Sequence, residues 1–281
     1  MGTFTSIMRA FSRGSALTIA AMLVLALWGV ASVAAPSFAP FDPLQQDVVN
    51  RLSPPSSKHW LGTDPLGRDV WSRILHGARI SIPVGIVAVI LAALLGTVVG
   101  MVSGSAGKLI DDILMRFADL MLAFPGIILA LVITAALGAG IGNALIAIAI
   151  AWWPQYARIV RGLVLSVKER DYVQGAYAIG ASEFRVMVRH VLPNIAPSVI
   201  VLATLDVGHA ILTFASLSFL GLGPPPQVAE WGSMIAAGRN YFDQWWIGTF
   251  PGLAILSVAL AFNILGDSLR DMLDPRLRKL S

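Results

Sequence analysis

No cysteine occurs among the 281 residues, and charge is scarce, with Asp, Glu, Lys and Arg together making up 13%. The first absence removes disulfides, thiolate metal sites and cysteine nucleophiles together, and leaves the redox compartment undetermined. The second argues against an ordinary soluble domain, whose charged share is about 25%. A basic stripe interleaved with aromatics is also missing, so a pI near 9.8 gives no reason to invoke nucleic acid. What the chain has in quantity is apolar: 56% hydrophobic residues and a mean hydropathy of +0.75. Several runs reach or exceed the ~20 residues that cross a hydrocarbon core. This is the composition of an all-α polytopic membrane protein, and its excess of Lys and Arg reads as cytoplasmic loops facing anionic lipid.

Residues 1–15 form a short polar N-terminus with Arg9 and Arg13, followed by a first transmembrane helix over 16–35. Val33-Ala34-Ala35 resembles a signal cleavage site, but the run is longer than the about 7–15 residues of a signal core, so an uncleaved span is expected. Residues 36–79 are an external loop broken by six prolines. Its amphipathic end, with Val70, Trp71, Ile74, Leu75 and Ala78 on one face, reads as an interfacial helix anchoring the next span. Residues 80–107 make a second span in which Gly96, Gly100 and Gly104 have the small-xxx-small spacing of close helix packing. Asp111, Asp112, Arg116 and Asp119 mark a polar turn. The uncharged run 120–157 is too long for one span, and glycines at 138, 140 and 142 divide it into two antiparallel spans, with Arg116, Arg158 and Arg161 reaching the headgroups. Spans five and six fall at 195–219 and 247–265, before a charged cytoplasmic tail over 271–281. Six spans put both termini on one side. A cytoplasmic assignment gives that side 14 of the 20 Lys and Arg, against 6 outside.

Within the expected five-helix core of residues 80–270, the longest polar stretch is 168–193, KERDYVQGAYAIGASEFRVMVRHVLP. Val173, Ala176, Tyr177, Gly180, Phe184 and Met187 recur there at helical spacing, and Pro193 and Pro197 lead into the fifth span. The residues alone fit two readings: a helix presented to a partner's groove, or a solvated loop lying on the bilayer. Asp206 sits inside the fifth span, where a carboxylate costs about 2.5–3.5 kcal/mol, so it is expected to face protein or water. His209 follows one turn later. The pair either lines a pathway, with Asp206 receiving a substrate ammonium or pairing with a partner subunit, or makes a helix–helix hydrogen bond. Gly104-Ser105-Ala106-Gly107-Lys108 falls short of a phosphate loop, and no nucleotide fingerprint occurs elsewhere. His59, His76, His190 and His209 are spread over loops and a span, which argues against a shared metal. Ser216 and Ser218 lack a nearby general base, so an enzyme is not expected. Trp231, Trp245 and Trp246 read as interfacial anchors, ahead of contacts to an external protein. The inverted repeat of many secondary transporters is not apparent.

Gln174-Gly175-Ala176, three residues, Gly180, nine residues and His190-Val191-Leu192-Pro193 resemble the cytoplasmic Glu-Ala-Ala…Gly…Ile-x-Leu-Pro signature of ABC-importer permeases. The spacing is intact; Gln174, Gly175 and His190 depart from the pattern. LGTD at 61–64, GRD at 67–69, GARIS at 77–81, LSFLGLG at 217–223, EWG at 230–232 and NILGDSLRDMLDPR at 263–276 are similar to the dipeptide, oligopeptide and nickel branch of that family. The resemblance implies a type I importer permease of the bacterial inner membrane, with six transmembrane helices and no catalytic activity or cofactor of its own. It implies four kinds of association: a homologous second permease, two ATPase subunits that hold ATP and Mg, an external substrate-binding protein, and the bilayer. It places ATPase coupling on Val173, Gln174, Gly175, Ala176, Tyr177, Gly180, Phe184 and Pro193, with Gly180 at a bend and Pro193 at a hinge. The cargo implied is a di- or oligopeptide. Nickel or another small solute is the alternative, and an ATP-independent secondary transporter is the competing class.

Overall fold

The computed structural model describes residues 16–273, so the N-terminal arginines and residues 274–281 of the tail lie outside the described residues. Helices dominate: α1 Ala16–Val33, α2 Ala35–Phe38, α3 Val70–Ser105, α4 Lys108–Leu122, α5 Gly126–Leu137, α6 Ile141–Lys168, α7 Asp171–Ala178, α8 Glu183–Val186, α9 Leu192–Phe219, α10 Trp231–Gly238 and α11 Trp246–Leu273. A π turn, Met187–Val191, joins α8 to α9. Among the described residues the only β-type pairing is one isolated bridge, Thr63 to Asp69.

Two helices form the centre because glycine lets them touch. A Cβ built on Gly96 would lie 2.3 Å from Tyr156 Cβ and 2.6 Å from the Trp153 carbonyl, and one on Gly100 would lie 2.6 Å from the Ala157 carbonyl. The stripe expected to pack does so, and its partner is α6. Around this pair, α9 and α11 pack together, and α1 lies along α11. Trp28 Nε1 of α1 donates to Ser257 Oγ at 3.0 Å, and the hydroxyls of Thr18 and Ser268 are 2.8 Å apart.

By length and composition, four helical stretches can cross a bilayer: Ala16–Val33, Val70–Ser105, Glu183–Phe219 and Trp246–Leu273. The count becomes five if α4 and α5 are taken as one bent span. α6 has the length, at 28 residues, but carries Trp152, Trp153, Gln155, Arg158 and Arg161 and is less apolar. The expected straight third span is absent. Pro125 has no N–H to give, and its ring disfavours helix at Phe124. The chain therefore turns by 89° between α4 and α5. The expected polar turn at 111–119 is instead part of helix α4. Its acids hold the arginines that were expected at the headgroups: Asp111 accepts from Arg161 Nη2 at 2.5 Å, and Asp119 accepts from Arg158.

The amphipathic end of the external loop is likewise not a separate interfacial helix but the first turns of α3. Asp69 caps it, accepting from Ser72 N at 2.8 Å. Val70, Ile74, Leu75 and Ala78 are buried inside the protein. Trp231 and Trp246, expected as interfacial anchors, are also buried, and their indoles donate to the carbonyls of Ile74 and Thr63 at 3.0 and 3.1 Å. Only Trp245 of the three is exposed. The LGTD and GRD motifs form the lock at this end. Asp64 Oδ2 accepts from Arg68 Nε at 2.7 Å and lies 3.7 Å from Arg73 Nε, while Arg68 Nη1 donates to the Pro226 carbonyl at 2.9 Å. Glu230, fully buried, accepts from Gly232 N, Ser233 N and Ser81 Oγ; burial still pushes its carboxyl up from the ordinary range, against those hydrogen bonds. Asp64→Ala would strand two buried guanidinium groups. Breaking a buried pair from one side costs about 3–5 kcal/mol, so a lowered melting temperature in detergent is expected, and an unchanged one would show that the lock carries no stability.

Candidate functional site

The polar segment 168–193 is two helical pieces and an elbow. α7 ends at Gly180, φ +85°, with Ala181 N donating to the Ala176 carbonyl and Gly180 N to the Tyr177 carbonyl. This is a Schellman closure, which places its glycine in the left-handed region. A Cβ on Gly180 would meet open space, so the requirement there is conformational, and the bend falls where expected. Past it, Glu183 ties the elbow shut: Oε1 accepts from Lys168 Nζ at 2.9 Å and Oε2 from the Tyr177 hydroxyl at 2.7 Å. Burial, and then the Glu183 carboxylate, push the Tyr177 hydroxyl up to about 12.

The residues expected at one contact face separate. Val173 and Ala176 point inward, clustered with Val160, Val164 and Val167 of α6 and with Val186, Met187, Val191 and Ile195. Tyr177 is half-buried beside them. Gln174, Gly175, Gly180, Phe184 and Pro193 remain exposed. The free apolar surface is therefore Phe184, 78% exposed, with Ile179 at 87% and Tyr172 at 46%. Ile179 and Tyr172 were missed because they lie off the Val173–Ala176 stripe. The signal available was an isoleucine standing directly before the helix-ending glycine. Gln174 uses its amide internally, donating to the Lys168 carbonyl at the end of α6 at 2.8 Å, a bond that a carboxylate could not make.

No sharp bend occurs at Pro193. Helix runs unbroken from Glu183 to Phe219, 37 residues. The missing N–H of Pro193 is absorbed by the π register of Met187–Val191, immediately before it. The helix that leaves the elbow at Glu183 and α9 thus form one rod.

The rod reaches the second candidate site. Asp206, His209, Thr213 and Ser216 fall at i, i+3, i+7 and i+10 of α9, a polar stripe about 15 Å long. All four line a cleft of about 500 Å³. Its other walls are Leu122, Phe124, Gly126 and Ile127, around the right-angle break, and Ala151, Trp152 and Gln155 of α6. The Asp206 side chain is 14% exposed and that of His209 64%. Tyr156 of α6 donates its hydroxyl to Asp206 Oδ2 at 2.6 Å, while Asp206 Oδ1 is 3.9 Å from His209 Nδ1, beyond hydrogen-bond range. Of the arrangements expected for Asp206, the hydrogen bond to a neighbouring helix is present, and the residue also lines this cleft. Tyr156, Gln155 and Thr213 escaped the sequence reading, and Ser216 was weighed there only as a nucleophile, although the stripe on α9 was visible as polar residues at helical spacing in an apolar run.

Residues 96–279 match the family described as binding-protein-dependent transport system inner membrane component. The chain is 45% identical over 265 residues to the probable D,D-dipeptide transport system permease protein DdpC of Escherichia coli, covering 94% of this chain and 89% of that one. It is 42% identical over 263 residues to the dipeptide transport system permease protein DppC of Alkalihalophilus pseudofirmus, covering 93% and 86%. It is 42% identical over 258 residues to the nickel transport system permease protein NikC of Escherichia coli, covering 92% and 93%. These matches extend over nearly the whole chain and include the elbow, the rod and the cleft. The chain belongs to the binding-protein-dependent ABC-transporter permeases, multi-pass components of the inner membrane.

Proposed function

We propose that this chain forms half of the translocation pathway of an ATP-driven importer of di- or oligopeptides. A second, homologous permease completes the pathway, two separate ATPase subunits hold ATP and Mg and dock on the elbow, and an external binding protein delivers cargo. The chain crosses six times, through α1, α3, the bent α4–α5 pair, α6, α9 and α11, with both termini cytoplasmic. At 28 residues α6 is about 42 Å long, enough for a hydrocarbon core of about 30 Å despite its polar residues. The observation that carries the reading is the continuous helix from Glu183 to Phe219, which has the exposed elbow at one end and Asp206 and His209 along its middle. Force on Phe184, and on Ile179 across the elbow, is delivered by that rod to the cleft. The elbow also packs on α6, which carries Trp152, Gln155 and Tyr156, so two walls of the cleft move with it.

The peptide cargo is supported by the similarity to the dipeptide transport permeases; the nickel transport permease is matched almost as well. The test is reconstitution with the partner permease, the ATPases and the loaded binding protein in proteoliposomes. Uptake of labelled dipeptide that requires ATP is expected. Equal uptake without ATPase subunits would overturn the importer reading in favour of a secondary transporter, and uptake of Ni²⁺ alone would overturn the cargo.

A further inference from the structure

We infer that Asp206 is the cargo-reading residue of the cleft and that it selects a primary ammonium group, with Tyr156 as its positioning residue. The proposal rests on the pathway reading above and adds the chemistry that the pathway recognises. An ionised carboxylate has about four acceptor positions. In Asp206 one is filled, by Tyr156 at 2.6 Å, and among the described residues no Lys or Arg pairs with it. Its second oxygen is left with acceptor capacity on the cleft side. Asp206 is the only carboxylate among the residues lining this cleft, and no Lys or Arg lines it.

The surroundings suit three N–H donors. His209 Nδ1 lies near the open oxygen, and Gln155, one residue from Tyr156, contributes an exposed amide to the opposite wall. Carboxylate, imidazole and amide oxygen all accept hydrogen bonds, and Trp152 and Phe124 add aromatic faces that favour a cation. A metal ion is a poorer fit. It takes about four to six ligands, whereas no third His, Asp or Glu among the described residues joins Asp206 and His209. Tyr156 keeps the carboxylate turned to the cleft from the other helix that the elbow moves.

The lack of cysteine makes a direct test available. A single thiol at Gln155→Cys in the full chain, in membrane vesicles, is reacted with aminoethyl, trimethylammonioethyl and sulfonatoethyl methanethiosulfonates. Rates are normalised to a free thiol. The aminoethyl reagent, with three donors, is expected to react about tenfold faster than the trimethylammonium reagent of equal charge, and faster still than the anion. Asp206→Asn should bring the first ratio close to one, and Tyr156→Phe should lower it partway, whereas a purely structural tyrosine would leave it unmoved in a folded chain. Equal rates for the two cations, or a ratio unchanged by Asp206→Asn, would overturn the assignment. The ratio needs neither ATP nor transport, so its failure leaves the importer reading standing, and failed uptake leaves the ratio interpretable.

Discussion

With aspartate at both Ile179 and Phe184, the chain is expected to reach the membrane folded but to lose its ATPase subunits on purification and, with them, ATP-driven uptake. The two side chains are 87% and 78% exposed and stand on either side of the Gly180 elbow, so in the isolated chain a charge there is solvated and disturbs no core. In a docked complex the same positions would be anchors. Central apolar anchors contribute about 2 kcal/mol or more each, so losing two weakens docking by about a thousandfold. Burying two unpaired carboxylates weakens it further. Val173→Asp is expected to fail differently. Val173 is fully buried among the valines of α6 and the start of the rod, so the charge would unseat the elbow and lower the melting temperature of the chain itself. Affinity capture from detergent extracts, read beside a thermal melt, separates the two. If the Ile179→Asp, Phe184→Asp variant keeps its ATPase, the docking face lies elsewhere.

That contrast shows what helical spacing can and cannot tell. Val173, Ala176 and Tyr177 do share a face, as their spacing requires, but periodicity does not say whether an apolar face meets the chain's own core or a partner. Here the valines at 160, 164 and 167 settle it, and they stand on the preceding helix. The same limit hid the external lock. Thr63 meets Trp246, and Arg68 meets the Pro226 carbonyl, across separations no local pattern encodes.

Other features were legible for identifiable reasons. The apolar runs of α1, α3, α9 and α11 are long and apolar enough to cross a bilayer, so composition alone located them. The glycines at 96, 100 and 104 pack as their spacing predicts, and Gly180 bends the chain as a glycine closing a short helix should. Two misreadings had visible signals. Leu109, Ile113, Phe117 and Leu120 recur at i, i+4, i+8 and i+11 and are all exposed, an amphipathic helix whose charges read as a turn. Pro125 sits inside an uncharged run, and hydropathy does not register a right-angle bend.

The largest effect on the fold is expected from Gly100→Leu, which should yield no monodisperse protein after extraction. The obstacle to a side chain at this position is partly backbone: the Ala157 carbonyl 2.6 Å from the new Cβ, with Val160 Cβ at 2.8 Å. A rotamer change cannot relieve a contact made by the Cβ itself, so the helices must part. The penalty exceeds the about 1–3 kcal/mol of ordinary core overpacking because association in lipid relies on this close packing. Gly100→Ala brings the same first contact without the bulk and is expected to fold with a lowered melting temperature. Gly162, on α6 but with nothing within 4 Å of its would-be Cβ, is the control: Gly162→Ala should be neutral or mildly stabilising, since it removes glycine from a helix interior. The graded pair also bears on the cleft. Parting α3 from α6 shifts Tyr156, which packs against Gly96 on one side and holds Asp206 on the other. Gly96→Ala, if it folds, should therefore reduce the preference for ammonium as Tyr156→Phe does. A folded Gly96→Ala chain with that preference intact would show that the Gly96 contact does not set the position of Tyr156.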